Sequence, residues 1–295
     1  MDERRKGLLL AAAAFTCWGL LSPGNEILLR DYSPMWLQAA RGGLAFLLPA
    51  AYFGRKRIAN AVAILRVPAL FGALLVGTFL SFAFFVYSQT RIPAAYTTLG
   101  FYTAPLWTAL FGWMWLRERV GWAFAPALLG LGVGGWLALT GGGRVPAPDA
   151  WGMTLAIGAG LTWGMYAVLL RKHAGGTDWR DLLLASTLLG AVGFLLMAVL
   201  TEPLPDVASF TAQTWTWTLI QVLIPTLAAL AMFQSAVRLA PSGEVNILVA
   251  LELAATVFFA WLLLDFAFDP VELLGVWICL ASVAGYLWWR STYSS

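Results

Sequence analysis

Four ionisable side chains lie inside long apolar runs of this 295-residue chain: Glu26, Arg41, Glu244 and Glu252. If the runs cross a bilayer, each charge costs about 2.5–3.5 kcal/mol at the membrane centre, so each side chain should face a partner or a wet cavity. Glu252 lies deepest, about 16 Å beyond Pro241 at ~1.5 Å per residue. We interpret it as a group for a substrate ammonium or a proton; a protonated carboxyl bonded to a neighbouring helix is the alternative.

The other three charges have simpler interpretations. Glu26 and Arg41 lie toward the same side of their apolar runs, so we expect them to pair. Glu244 is only a few residues from the end of its run and could reach the membrane surface by extending its side chain. It is therefore a weak candidate for chemistry.

Aromatic and amide side chains form the second group of candidates. Trp18-Gly19 and Trp163-Gly164 are matching pairs at similar depth in two apolar runs. They predict two aromatic walls of one cavity, with glycine permitting close helix approach; simple packing between helices is the alternative. The predicted substrate-binding set is completed by residues with hydroxyl, amide, carboxylate or ring groups: Tyr87, Phe101, Tyr102, Gln234, Asn246 and Glu252.

Three prolines interrupt these apolar runs, at Pro23, Pro105 and Pro225. Proline removes a backbone hydrogen bond and bends a helix, which a membrane tolerates where a neighbour or a cavity satisfies the freed carbonyl. We expect these prolines to act as hinges.

Composition excludes most other chemistry. Only 11% of residues are charged and 60% are hydrophobic, against about 25% charged in soluble domains, so the chain is predicted to be a polytopic membrane protein. Cys17 and Cys279 sit in apolar runs and are expected to be small buried side chains, and the single His173 has no metal-ligand neighbours. No nucleophile–base set or phosphate-binding loop is present, so we expect no enzyme activity, no catalytic residue, no metal and no cofactor.

The elements that must position these residues are ten apolar spans, separated mainly by short loops. They cover roughly 7–29, 34–53, 67–89, 92–116, 121–140, 151–170, 180–200, 214–237, 241–264 and 270–289. The longest breaks are expected at 54–66, 141–150 and 201–213. Apolar stretches of about 20 residues are typical of transmembrane helices. The predicted fold class is an all-α membrane protein with ten transmembrane helices.

Loop charges predict the orientation. With the N-terminus inside, the inner segments carry 14 Lys and Arg residues and the outer loops carry 3. Cytoplasmic loops hold such residues in excess, so both termini are expected in the cytoplasm. The net charge of +3 then reflects topology, and no nucleic-acid partner is needed to explain it.

An internal repeat relates the two halves. Pro93, Thr108 and Trp113 match Pro241, Thr256 and Trp261 at a constant offset of 148 residues. We therefore predict two five-helix repeats, 1–145 and 146–295. An odd number of spans inverts the second repeat relative to the first, and inverted repeats are typical of transporters with a site near the midplane between the halves.

These features resemble the EamA-type branch of the drug/metabolite transporter superfamily. The resemblance rests on the two Trp-Gly pairs, on Pro105 within APLWTALFGWMWLRER followed by Glu118, and on ALELAATVFFAWLLLDF in the ninth span. It covers essentially the whole chain and implies a ten-helix exporter of two inverted repeats. Within this branch the chain is similar to the YddG-type exporters of aromatic amino acids. Leu253 stands where the family has proline, and Asp265 stands where an exit glutamate is usual.

Three functions remain open from the sequence. The first is export of amino acids, aromatic and other neutral ones, across the bacterial inner membrane by alternating access. The second is proton-coupled efflux of cationic drugs or other metabolites, with Glu252 or Glu26 cycling protons. The third is a membrane assembly protein that transports nothing. The expected partners are a small-molecule substrate and membrane lipid, with a monomer as the simplest state.

Overall fold

The computed structural model describes residues 2–145 and 147–293. Within these residues the regular structure is entirely helical, as the apolar runs predict. The expected repeat boundary falls between 145 and 146, and Pro146 lies outside the described residues. Polar residues set several helix starts: Asp149 accepts the Gly152 amide, Asp178 accepts the Arg180 amide, and Thr211 forms a capping box with Thr214. Such caps satisfy amides that have no partner inside the helix.

Twelve helical segments follow one another along the chain. They are α1 (Glu3–Leu28), α2 (Pro34–Phe53), α3 (Arg55–Leu65), α4 (Pro68–Gln89), α5 (Ala94–Phe101), α6 (Ala104–Phe111), α7 (Phe124–Thr140), α8 (Ala150–His173), α9 (Trp179–Thr201), α10 (Ala212–Leu239), α11 (Ser242–Leu264) and α12 (Pro270–Tyr293). A short π-helix, Gly112–Leu116, continues α6, and a 3₁₀ turn, Val207–Ser209, precedes α10.

Seven of the described helices are long and apolar enough to cross a membrane: α1, α4, α8, α9, α10, α11 and α12. The apolar helix α7 is shorter. The protein is therefore a multi-pass membrane protein. Two other predicted spans are not among these seven. The helix α2 carries Arg41 and Gln38 within its 20 residues. The predicted span 92–116 is divided between α5 and α6 at Tyr102 and Thr103.

The expected break at 54–66 is wrong in part, because Arg55–Leu65 forms the helix α3. Its first turn holds Arg55, Lys56 and Arg57, while Ala61 and Ile64 are buried. The cluster of charges obscured a short amphipathic helix whose apolar side packs on the rest of the protein.

Local backbone features recur in the two halves. A π-helical stretch occupies Leu75–Leu80 in α4 and another occupies Val222–Ala228 in α10. Among the described non-glycine residues, positive φ occurs at Arg117 (56°) and Asp265 (52°), which lie 148 positions apart in the chain. Both residues end a helix in the left-handed conformation.

Helices that correspond at this offset pack antiparallel. In α2 and α9, Ser33 contacts Glu202 at one end, while the rings of Phe53 and Trp179 lie 6.1 Å apart at the other. In α7 and α12, Gly130 faces Ser282 and Gly134 faces Cys279, so that close approach depends on the missing side chains. An antiparallel arrangement of matching helices is the geometry that an inverted repeat requires.

Candidate substrate cavity

A small cavity of about 70 Å³ lies among α1, α2, α4, α8, α9 and α10. Its lining consists of Trp18, Leu21, Gln38, Arg41, Gly42, Thr78, Phe82, Trp163, Ser186, Thr187, Gly190, Phe194, Pro225, Thr226 and Leu230. Both halves of the chain contribute to it.

Trp18 and Trp163 meet at one wall of the cavity. Their ring centroids lie 5.3 Å apart at an interplanar angle of 77°, and Phe233 contacts both rings at 5.2 and 4.9 Å. The two tryptophans are only 6% and 3% exposed. The two sequence interpretations, cavity wall and helix packing, therefore describe the same residues: the rings line the cavity on one side and form a packed aromatic cluster on the other.

Three further candidates surround this cluster without entering the lining. The indole N–H of Trp163 donates to Oδ1 of Asn246 at 3.1 Å, and Phe101 lies 6.0 Å from the Trp163 ring. Gln234 donates to the Tyr166 hydroxyl at 3.0 Å and to Oγ of Ser186 at 2.6 Å. Asn246 and Gln234 thus hold cavity-lining side chains in place.

The remaining predicted binding residues lie elsewhere. Tyr102 is 5% exposed and sits beside Gly135 of α7, within electrostatic range of Glu252. Glu252 is partly exposed and makes no side-chain hydrogen bond or ion pair within the part of the chain that the structure describes. Tyr87 is 39% exposed near the end of α4. None of these three residues belongs to the cavity lining.

Arg41 is the one charged side chain among the described lining residues, and only 5% of it is exposed. It donates to Oδ1 of Asn25 at 3.2 Å and to Oε1 of Gln38. The expected pair with Glu26 does not form in the described structure: Glu26 is exposed and Arg41 contacts neutral amides. Asn25, immediately before Glu26, is the partner of Arg41 in place of the predicted carboxylate.

Each expected hinge proline lies at a disturbed part of a helix. Pro23 follows the break in α1 at Gly19 and Leu20. Pro225 lies within the π-helical stretch of α10, where the Thr226 hydroxyl donates to the Gln221 carbonyl at 2.8 Å. In a π-helix a carbonyl accepts from the amide five residues later, so the Gln221 carbonyl is matched with the Thr226 amide and Pro225 is accommodated without leaving that carbonyl unpaired. Pro105 follows the break between α5 and α6.

The face that holds the N-terminus, here called the N-terminal face, is closed by ion pairs, two of which share the buried carboxylate of Glu244. Glu244 is 0% exposed and accepts from Nε of Arg4 and Nε of Arg290, both at 2.8 Å. Glu118 pairs with Arg171 and accepts from both the amide and the hydroxyl of Ser242, at 3.0 and 2.8 Å. These contacts join segments from both halves of the chain.

Further charges extend this network to α3 and α9. Arg57 pairs with Asp178 at 2.7 Å and with Asp181 at 3.0 Å. Hydrogen bonding from the Arg180 amide and from the Arg57 guanidinium lowers the pKa of Asp178. The opposite face has its own contact, in which Glu202 accepts from the Ser33 hydroxyl and from the amides of Met35 and Trp36.

Sequence reasoning missed Glu244 as a central contact and did not assign a role to Gln38, Asn25 or Ser186. The missed signal was the position of Glu244 close to a span end, within reach of arginines at both chain termini. Among the described residues, no group of three or more His, Cys, Asp and Glu side chains could hold a metal ion.

The EamA-like transporter family model matches residues 5–140 and again 150–288. The chain belongs to the EamA-like transporter family. A protein of Vibrio cholerae serotype O1 described as an uncharacterized transporter is 29% identical over 249 residues, covering 81% of this chain and 78% of that protein. The threonine/homoserine exporter RhtA of Escherichia coli K12 is 26% identical over 253 residues, covering 84% of this chain and 79% of RhtA.

A solved crystal structure also shares the fold of this EamA-like protein. It superposes with a TM-score of 0.80 at 17% identity, covering 98% of this chain and 99% of that one. Family membership and the names of the relatives indicate a transporter and not an enzyme. They place the cavity in a protein that moves small molecules.

Proposed function

We propose that this EamA-like protein exports neutral amino acids, aromatic ones included, across the bacterial inner membrane by alternating access. The observation that carries the proposal is the cavity between the halves, lined by Trp18, Trp163 and Arg41 and separated from the N-terminal face by the ion pairs of Glu244 and Glu118. The relative RhtA, named as a threonine/homoserine exporter, supports an amino acid substrate. The paired tryptophan rings favour side chains with apolar surface.

The proposed architecture is ten transmembrane helices in two inverted five-helix repeats, 1–145 and 146–295, with both termini in the cytoplasm. Support comes from the antiparallel packing of α2 with α9 and of α7 with α12 and from the matching π-helices. In this arrangement α2, the α5–α6 segment and α7 join the seven longer helices to make ten spans. Inverted repeats can exchange conformations and so open the central site to each side in turn.

The binding roles follow the geometry. Trp18 and Trp163 form the apolar wall, with Phe101 supporting Trp163, and Gln234 and Asn246 position the wall through Tyr166 and Trp163. Tyr87, Tyr102 and Glu252 lie outside the lining and would meet substrate only in another state. Pro23, Pro105 and Pro225 are the proposed hinges; Pro105→Ala should lower the transport rate while membrane insertion is retained, and an unchanged rate would exclude that role.

Cationic drug efflux is the less favoured alternative, since the described lining residues include Arg41 and no carboxylate. The deciding experiment uses purified protein in liposomes preloaded with radiolabelled phenylalanine, threonine or a cationic dye, with and without a pH gradient. Movement of the amino acids and not of the dye supports the proposal. Movement of the dye alone, abolished by Glu252→Gln, would replace it with proton-coupled drug efflux.

A further inference from the structure

The cavity contains a positive charge that the protein does not neutralise. Arg41 is 5% exposed, and it appears in none of the ion pairs of the described residues. Its described hydrogen bonds, to Asn25 and Gln38, use two of the five N–H groups of a guanidinium. An isolated buried charge is costly, and in membrane proteins such residues mark substrate or ion pathways.

Three hydroxyl groups of the lining can act toward a ligand only as acceptors. The hydroxyl hydrogens of Thr78, Ser186 and Thr187 are already donated to backbone carbonyls in their own helices, at 2.7, 2.7 and 2.9 Å. A hydroxyl whose hydrogen is used in this way offers only oxygen lone pairs to a ligand. The lining therefore pairs one strong cationic donor with several neutral acceptors.

Helix packing brings these groups to one junction. Gly42, next to Arg41, lies against Ala191 of α9, and Gly190 lies close to the Thr78 carbonyl of α4. Thr187 is one turn before Gly190 on the same helix. The close approach of α2, α4 and α9 at these glycines gathers the guanidinium and the hydroxyls at one cavity.

We infer that Arg41 binds the carboxylate of the transported molecule, and that the hydroxyl oxygens of Thr78, Ser186 and Thr187 accept from its ammonium group. The ligand is thus an α-amino acid with a free carboxylate and an uncharged side chain that rests on Trp18 and Trp163. This inference rests on the proposed function and specifies its recognition chemistry. A guanidinium suits a carboxylate because its planar fork can donate two parallel hydrogen bonds.

The test compares ligands that differ only at the carboxylate. Binding to purified wild-type protein is measured for labelled phenylalanine, with phenylalanine, phenylalaninamide or phenethylamine as competitor, and likewise for threonine and threoninamide. We expect the amide and the amine to compete at least about tenfold more weakly than the acid, since they lose a charge-assisted hydrogen bond. This comparison needs no variant and therefore does not depend on any variant folding.

Variants then assign the preference to Arg41. Arg41→Gln should reduce the acid-to-amide preference to near one, Arg41→Lys should retain part of it, and Arg30→Gln, an exposed cation on the adjoining loop, should leave it unchanged. A purely structural role for Arg41 would weaken all ligands together. Equal competition by acid and amide in the wild type, or an unchanged preference in Arg41→Gln, would overturn the inference.

Transport and binding separate the two proposals. Amino acid transport with no Arg41-dependent preference overturns this inference and leaves the proposed function standing. Arg41-dependent binding of the free acids without any transport overturns the proposed function and supports the binding site. Absence of both overturns both.

Discussion

Removing the charge of Glu244 should open the N-terminal face. This side chain is 0% exposed, and each of its two carboxylate oxygens accepts from one arginine, Arg4 or Arg290, at 2.8 Å. The two arginines come from the first and the last helix of the chain. Alternating access requires this face to open, and opening must separate at least some of these groups.

The size of the effect follows from the exposure of the partners. A hydrogen bond to a charged group contributes about 1.5–3 kcal/mol. The Arg290 side chain is 19% exposed, so its hydrogen bond to Glu244 retains much of that energy. The Arg4 side chain is 36% exposed, and solvent screening reduces the contribution of its bond to about 0–1 kcal/mol. Glu244→Gln removes the carboxylate charge from both contacts and replaces one acceptor oxygen with an NH2 group that cannot accept from arginine. The closed state should lose about 2–3 kcal/mol relative to the open state, a roughly 30- to 150-fold shift.

Hydrogen exchange measures that shift directly. The Ser242 amide is bonded to the Glu118 carboxylate at this face, so its exchange requires opening. When closing is faster than exchange, the rate is proportional to the open population. Exchange in a peptide covering residues 239–248 should therefore accelerate roughly 30- to 150-fold in Glu244→Gln.

A matched control removes a carboxylate at another site. Asp269 pairs with Arg144, whose side chain is 67% exposed, so Asp269→Asn should leave exchange in 239–248 near the wild-type rate. An acceleration in Glu244→Gln of less than about threefold, or one no larger than in the control, would refute the view that this cluster holds the face closed.

Three further predictions concern stability. Glu202→Gln should lower the free energy of unfolding by about 1–2 kcal/mol, because Glu202 caps α2 from a distant helix. Thermal melting measures this loss, and the control is Asp206→Asn, which loses only an exposed turn contact. Thr226→Val removes the hydroxyl hydrogen bond to the Gln221 carbonyl and should lower the free energy of unfolding by about 1 kcal/mol; an unchanged melting temperature would contradict that contribution. The pKa of Asp178 is lowered in the folded state, so its contribution is present above the ordinary value of about 3.9 and is lost as the pH falls through the folded value. The melting temperatures of wild type and Asp178→Asn should therefore converge with falling pH, and a constant gap would exclude the linkage.

The sequence was sufficient for the features set by composition and periodicity. Apolar runs predicted the seven described helices that are long and apolar enough to cross a membrane, and the helix α2 begins and ends at the predicted residues 34 and 53. The Trp-Gly pairs predicted a meeting of two helices at the centre, and Trp18 and Trp163 are in contact there. These outcomes depend on signals that lie within a single helix, where burial and residue type are directly coupled.

Pairing of charges could not be predicted in the same way. Glu26 and Arg41 looked like partners because the sequence allowed only their depths in the membrane to be compared. A helix also fixes the direction in which each side chain points, and the neighbouring Asn25 is the residue that contacts Arg41. Glu244 was underrated because its partners, Arg4 and Arg290, are remote in sequence. The short helix α3 was missed because its basic first turn resembles a loop. Each of these depends on tertiary contacts that hydrophobic periodicity does not encode.

The most direct test of transport through this cavity is to lock the N-terminal face reversibly. A Cβ atom at Gly112 would lie 3.4 Å from Oγ of Ser242, so cysteine side chains at these two positions would be neighbours, as a disulfide requires. Gly112→Cys and Ser242→Cys would be combined in a chain whose Cys17 and Cys279 are replaced by alanine, with Gly112→Cys alone as control. In liposomes, oxidation should stop amino acid transport by the double variant while binding persists, and reduction should restore it. Equal transport by the oxidised and reduced double variant, once the disulfide is verified, would contradict alternating access through this site.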